Sequence, residues 1–157
     1  MSARPPEWER STAPVDSGAV PEEHRRLVRE AALRQGFEND PLAAAGATGV
    51  RTHSTPLRAG GLLRRKAAPT TVTALIAGPL LIVLGGADGE EPAVTLYRLG
   101  ELELAEYASA LIEDSGLEIT GARIGASERS VQFLPLERDG EGARFREDLR
   151  AANEAAR

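Results

Sequence analysis

The chain has 157 residues, 41% of them hydrophobic and 27% charged, with a net charge of -5 at pH 7. That balance describes one ordinary globular domain with some tail, and excludes a disordered or fibrous chain. Mild acidity and an aromatic content of 4% argue against nucleic acid as a partner, and the lack of cysteine excludes disulfides, thiolate metal sites and cysteine nucleophiles.

Residues 1–19 open with "MSARPPEWERSTAPVDSG", rich in Pro, Ser and charge. They read as a disordered tail, with no apolar core of the kind a secretion signal needs. A helix is expected over 20–36. Pro21 suits its first turn, Glu22 and Glu23 suit the positive end of its dipole, and Gly36 can close it. Leu27, Val28, Ala31 and Ala32 form its narrow apolar stripe, which can pack on the rest of the domain or recruit a partner chain. Residues 37–46 read as a linker, because the Asp40-Pro41 step is a poor place for helix.

From residue 47 to 157 the texture is that of one domain. Short alternating runs predict seven strands, near 47–55, 71–77, 80–85, 93–98, 101–106, 117–124 and 129–135. Gly100 suits a tight turn, and 107–115 is ambiguous, with room for one helical turn. The chain ends in an amphipathic helix that begins near Asp139, a candidate N-cap; Phe145, Leu149, Ala152 and Ala156 lie along one face.

The most apolar stretch is "TALIAGPLLIVLGG", within the window between Lys66 and Asp88, which contains no charge. It is long enough for a membrane helix. Gly78-Pro79 in its middle would break that helix, and the β-branched run before the break suits a pleated strand. The expectation is therefore a hairpin with no transmembrane span, in a cytoplasmic protein.

Seven antiparallel strands followed by one amphipathic helix resemble the pleckstrin-homology-like (PH-like) superfold, including bacterial PH-like domains of unassigned role. The segments that carry this are "TTVTALIAGPLLIVL", "GLEITGARIG" and "RSVQFLPLERDGEGARFREDLRAANEAA", within 47–156. The resemblance implies a mainly β, α+β fold: a seven-stranded, curved, partly open barrel whose end the C-terminal helix plugs, here through Phe145 and Leu149. The additional N-terminal helix is a departure from it. A small β-sandwich or a lipocalin-like barrel is the rival, made less apt by the long terminal helix.

The basic segment "RTHSTPLRAGGLLRRK" carries five cations and no acid, whereas residues 67–157 hold 8 arginines against 16 acids. In lipid-binding members of the superfold, the loop between the first two strands holds anionic head groups. By that resemblance Arg58, Arg64, Arg65 and Lys66, in loop 57–66, are the candidate anion or lipid contacts, with Leu62 and Leu63 able to insert. A solvated loop whose arginines pair with acids is the plainer alternative. His24 and His53 lack a third partner for a metal site. The acids of "ELELAEY" alternate along a strand and face solvent, and Ser127 and Ser130 have no evident base. "GGADG" and "GARIGAS" match no nucleotide fingerprint. The sequence thus points to a non-enzymatic module without cofactor. It would bind a protein or itself, or attach to an anionic membrane surface.

Overall fold

A computed structural model describes residues 8–43, 46–57, 68–108 and 114–157. Eight strands form among these residues: β1 (Trp8–Asp16), β2 (Thr48–Pro56), β3 (Thr70–Ala77), β4 (Leu80–Ala87), β5 (Ala93–Arg98), β6 (Glu103–Glu106), β7 (Gly116–Ala122) and β8 (Arg129–Pro135). Two helices accompany them, α1 (Glu22–Arg34) and α2 (Gly140–Ala155). The strands make two antiparallel meanders, β1-β2-β3-β4-β5 and β6-β7-β8.

The chain is mostly β, as the alternation implies, but the described residues do not close into a seven-stranded barrel. Two local events explain the difference. After β5 the backbone turns through a 3-10 segment, Leu99–Glu101, so hydrogen bonding does not pass from β5 to β6. Residues 8–16, expected to be part of a disordered tail, instead pair along their whole length with β2, from Trp8 opposite Pro56 to Asp16 opposite Thr48. Pro14 is tolerable there because β1 is an edge strand.

The five-stranded sheet is apolar on both faces. On the outer face Leu75, Ile82, Leu84 and Leu96 pack with Val28, Ala31 and Ala32 of α1. On the inner face Ala74, Leu81, Val83 and Tyr97 pack with Leu117, Ile119 and Leu134 of the second sheet and with Phe145 and Leu149 of α2. This sandwiching explains the membrane-like run. β3 and β4 are the central hairpin of a three-layer structure, so both alternating sets are buried and the sequence reads as continuously hydrophobic. The two-residue link uses Gly78 at φ 56. Among the described residues no helix is long and apolar enough to cross a membrane.

Segment 37–46, expected to be a linker, carries part of the core. Leu42 is buried in the outer cluster, with the Asp40 carboxylate accepting a hydrogen bond from its amide at 2.9 Å. Phe37 packs against the same cluster and lies under the Arg98 guanidinium. Asp139 does occupy the N-cap of α2, although its side chain makes no capping hydrogen bond. Downstream, Asn153 Nδ2 donates to the carbonyls of Leu99 and Leu102 at 2.6 and 2.9 Å, pinning the helix to the turn between the sheets.

Candidate functional site: a cleft between the sheets

Strand pairing places inner-face residues in cross-strand rows. Arg10, Ser54, Thr70 and Ala87 form one row, and Thr12, Thr52, Val72, Gly85 and Ala93 form the next. The row holding Ile76, Leu81 and Tyr97 lies at the other end of the strands, where Phe145 of α2 and the second sheet cover it. The space between the sheets is thus filled at one end. At the other it opens as a cleft of about 440 Å³, with Val72, Gly85 and Ala93 on its floor and Gln132, Phe133 and Pro135 of β8 along one wall. The space exists because the floor residues are small; a Cβ at Gly85 would meet Val72 Cγ2 at 3.4 Å, an ordinary contact.

Arg10 anchors the mouth of this cleft. Its Nε and Nη2 donate to the two carboxylate oxygens of Asp114 at 2.8 and 2.6 Å, and Nη1 donates to Ser54 Oγ at 2.5 Å. The same guanidinium lies 5.6 Å from the Trp8 ring centre and 5.3 Å from that of Phe133. A planar cation that is bidentate to a carboxylate and stacked on rings is held in one geometry. Its charge is cancelled within the pair, so the cleft is neutral although it contains an arginine.

Tyr97 sets the polar edge. Burial pushes its phenol above the ordinary value, outweighing the opposing effect of the Arg123 guanidinium beside it, so the hydroxyl stays protonated and donates to Gln132 Oε1. With Oε1 engaged, the Gln132 amide nitrogen has no hydrogen-bond partner among the described residues and stands as a donor at the cleft wall. Thr70 and Thr95 also line the cleft. The arrangement suits an uncharged, partly apolar occupant that offers hydrogen-bond acceptors.

Arg58, Arg64, Arg65 and Lys66 lie outside the described residues, as do Leu62 and Leu63. Their described neighbour Leu57 is 50% exposed, just beyond the Trp8–Pro56 pair at the cleft end of β2. The histidines come closer to common partners than their spacing suggests. His53 Nδ1 is 3.1 Å from Thr71 Oγ1 and 3.4 Å from Asp88 Oδ2, and Thr71 donates to Asp88 Oδ1 at 2.6 Å. His24 lines a shallow groove with Thr71 and Asp88 on the outer face of the sheet. Among the described residues no group of three or more His, Asp or Glu side chains is placed to hold a metal ion. Two of the three acids of "ELELAEY" make ion pairs: Glu103 with Arg129, and Glu106 with Arg146 and Arg150.

Trp8, Arg10, Asp114 and Gln132 escaped the sequence reading. The one signal available was the alternation of Arg10, Thr12 and Pro14 with Ser11, Ala13 and Val15, which is a strand pattern written in polar residues. Comparison with protein-family models, with characterised proteins and with solved structures finds no match for this chain.

Proposed function

We propose that the chain is a non-catalytic binding module that engages another protein, with the cleft beside β8 as its contact surface. The observation that carries this is the neutrality of that cleft. Among the described residues its one cation and one anion close on each other, and what remains is an apolar floor, two threonines and an amide. Such a surface recognises shape, apolar side chains and main-chain groups. The PH-like reading belongs with it: β2 to β8 are seven strands in two antiparallel meanders, and α2 follows with Phe145 and Leu149 inserted between them. Self-association through another face is the same class of activity.

The test is photo-crosslinking in the native cell from a benzoyl-phenylalanine placed at Trp8, on the cleft rim. Protein adducts that disappear in a Gly85→Leu variant, whose side chain fills the cleft floor, support the module. Absence of any protein adduct, together with a concentration-independent monomer in sedimentation velocity, overturns it.

A second reading, peripheral attachment to anionic lipid through loop 57–66, is favoured by the exposed Leu57 and by Trp8 at the same rim. Basic residues near such a surface contribute about 1 kcal/mol each. Sedimentation with phosphatidylserine vesicles at low salt, lost on replacing Arg64, Arg65 and Lys66 by Ser, supports it; no sedimentation excludes it.

A further inference from the structure

Among the described residues nothing pairs with the free edge of β8, and its polarity can be read from one hydrogen bond. Leu136 N donates to Ser115 O, which continues the β7–β8 register in which Gly116 faces Pro135. In an antiparallel ladder successive residues point their N–H and C=O groups alternately toward and away from the partner. Ser130, Gln132 and Leu134 therefore bond to β7, and Arg129, Val131 and Phe133 present their main-chain groups at the free side. The next outward position is Pro135, which has no N–H and ends the edge. No hydrogen bond from the Val131 or Phe133 main chain reaches any other element among the described residues. Val131 is 62% exposed.

The other sheet edges are occupied or blunted. The β5 edge gives its Leu96 carbonyl to Ile124 N at 2.8 Å, β1 carries Pro14, and β6 is four residues long with an acid at each end. β8 is the edge left over; its one charged residue, Arg129 at the start, pairs with Glu103, and the cleft lies beside the uncharged remainder. The five-stranded sheet reaches past β8, so Val72, Gly85 and Ala93 form a shelf under the position a fourth strand would take. Strands pair about 4.8 Å apart and inner-face rows repeat about every 6.8 Å, so a single added strand lies over that shelf.

From these features we propose that β8 receives an extended peptide segment of a partner protein, which adds as a fourth strand to β6-β7-β8. Its alternate side chains drop onto the Val72–Gly85–Ala93 shelf. A second copy of this chain does not fit. Pairing β8 with β8 about a two-fold axis normal to the sheet puts both five-stranded sheets on one face, and each projects past its own β8 into the other. The occupant is therefore a strand without a bulky neighbour, such as a tail or linker. Its inward residues are uncharged and aliphatic, because the shelf is apolar and Arg10 is already closed on Asp114. The Gln132 amide faces the segment as an added donor. This inference rests on the binding-module reading and narrows it to one edge.

The experiment uses the full chain, uniformly 15N-labelled, titrated with a capped peptide, Ac-Lys-Thr-Val-Thr-Val-Thr-Lys-NH2, and the same peptide with its central residues N-methylated. Main-chain addition tolerates side-chain variety, so millimolar peptide is sufficient. The expected result is shift perturbation confined to β8 and the shelf, slowed hydrogen exchange at the Val131 and Phe133 amides, and no response to the N-methylated peptide. Val131→Pro removes an outward N–H that β7 does not use, so the variant folds and binds roughly tenfold more weakly. Overturning results are no perturbation by the unmodified peptide, perturbation elsewhere, or equal binding by a folded Val131→Pro variant. If crosslinks from the Trp8 position persist while the peptide fails, the binding module stands and the edge is not its contact.

Discussion

Arg10 and Asp114 are 104 residues apart in sequence and form an enclosed ion pair at the cleft, with side chains 9% and 17% exposed. A pair this enclosed is costly to break from one side only, because the survivor is left desolvated without its partner. Arg10→Ala is expected to lose about 3 kcal/mol in urea denaturation, whereas Arg10→Met with Asp114→Leu recovers a good part of that loss. Gly49 tests packing rather than charge. A Cβ there would sit 1.8 Å from the Ala74 carbonyl oxygen, so β2 and β3 approach at a distance only glycine allows. Gly49→Ala is expected to cost at least about 2 kcal/mol by the same measurement. Tyr97 gives a pH dependence. Its phenol is raised above 10.0 by burial, so the unfolded chain loses that proton first. The resulting contribution to stability is full below the unfolded value and is lost as pH rises through the folded one. Denaturation midpoints should fall in the native chain as pH rises past the ordinary tyrosine range, and fall less in Tyr97→Phe.

At the scale of elements, β1 separates the two accounts of the N-terminus most cleanly. A disordered tail can be removed without consequence; an edge strand whose Thr12 hydroxyl meets Thr52 at 3.0 Å and accepts a hydrogen bond from Glu137 N cannot. A chain beginning at residue 17 should melt earlier and scatter light on heating, because β2 becomes a new open edge and Asp114 loses Arg10. α1 belongs to the structure for a different reason. Its stripe is narrow, with Val28, Ala31 and Ala32 buried, yet together with Leu42 and Phe37 it covers Leu75, Ile82 and Leu84. Packing on the sheet, one of the two fates open to that stripe in the sequence, is the one realised. α2 docks through Phe145 and Leu149 and through Asn153, whose amide satisfies two carbonyls of the inter-sheet turn. The apolar periodicity of α2 was readable in advance; the role of its one buried amide was not.

For the molecule as a whole, the central sheet is shared by two cores, one against α1 and one against the second sheet with α2. Neither core can be lost without exposing β3 and β4, so unfolding should be one cooperative event. Trp8, the only tryptophan, reports on β1, while far-UV circular dichroism reports on everything else. Coincident transitions by the two probes are the expected outcome, and a fluorescence change that precedes the loss of secondary structure would mean that β1 peels away separately. The three-layer order also accounts for the cleft. The five-stranded sheet is longer than the second sheet and α2 can cover, and its far inner-face rows are left open over β3, β4 and β5, while Thr12, Thr52 and Ser54 in the same rows are buried.

What the sequence determined by itself was local: seven strands, two helices and a Gly-Pro turn, because period, β-branching and punctuation act over a few residues. Hydrophobic strands and helical stripes declare themselves in that way wherever burial is apolar. The tertiary structure alone decided the rest. β1 is buried through polar side chains, Arg10 and Thr12, whose partners Asp114, Ser54, Thr52 and the Glu137 amide come from distant segments, so nothing nearby in sequence announces it. The cleft is formed by small residues on three strands that become neighbours only through their register, Val72 opposite Gly85 and Gly85 opposite Ala93. A strand edge is likewise free or used only according to what the fold sets beside it.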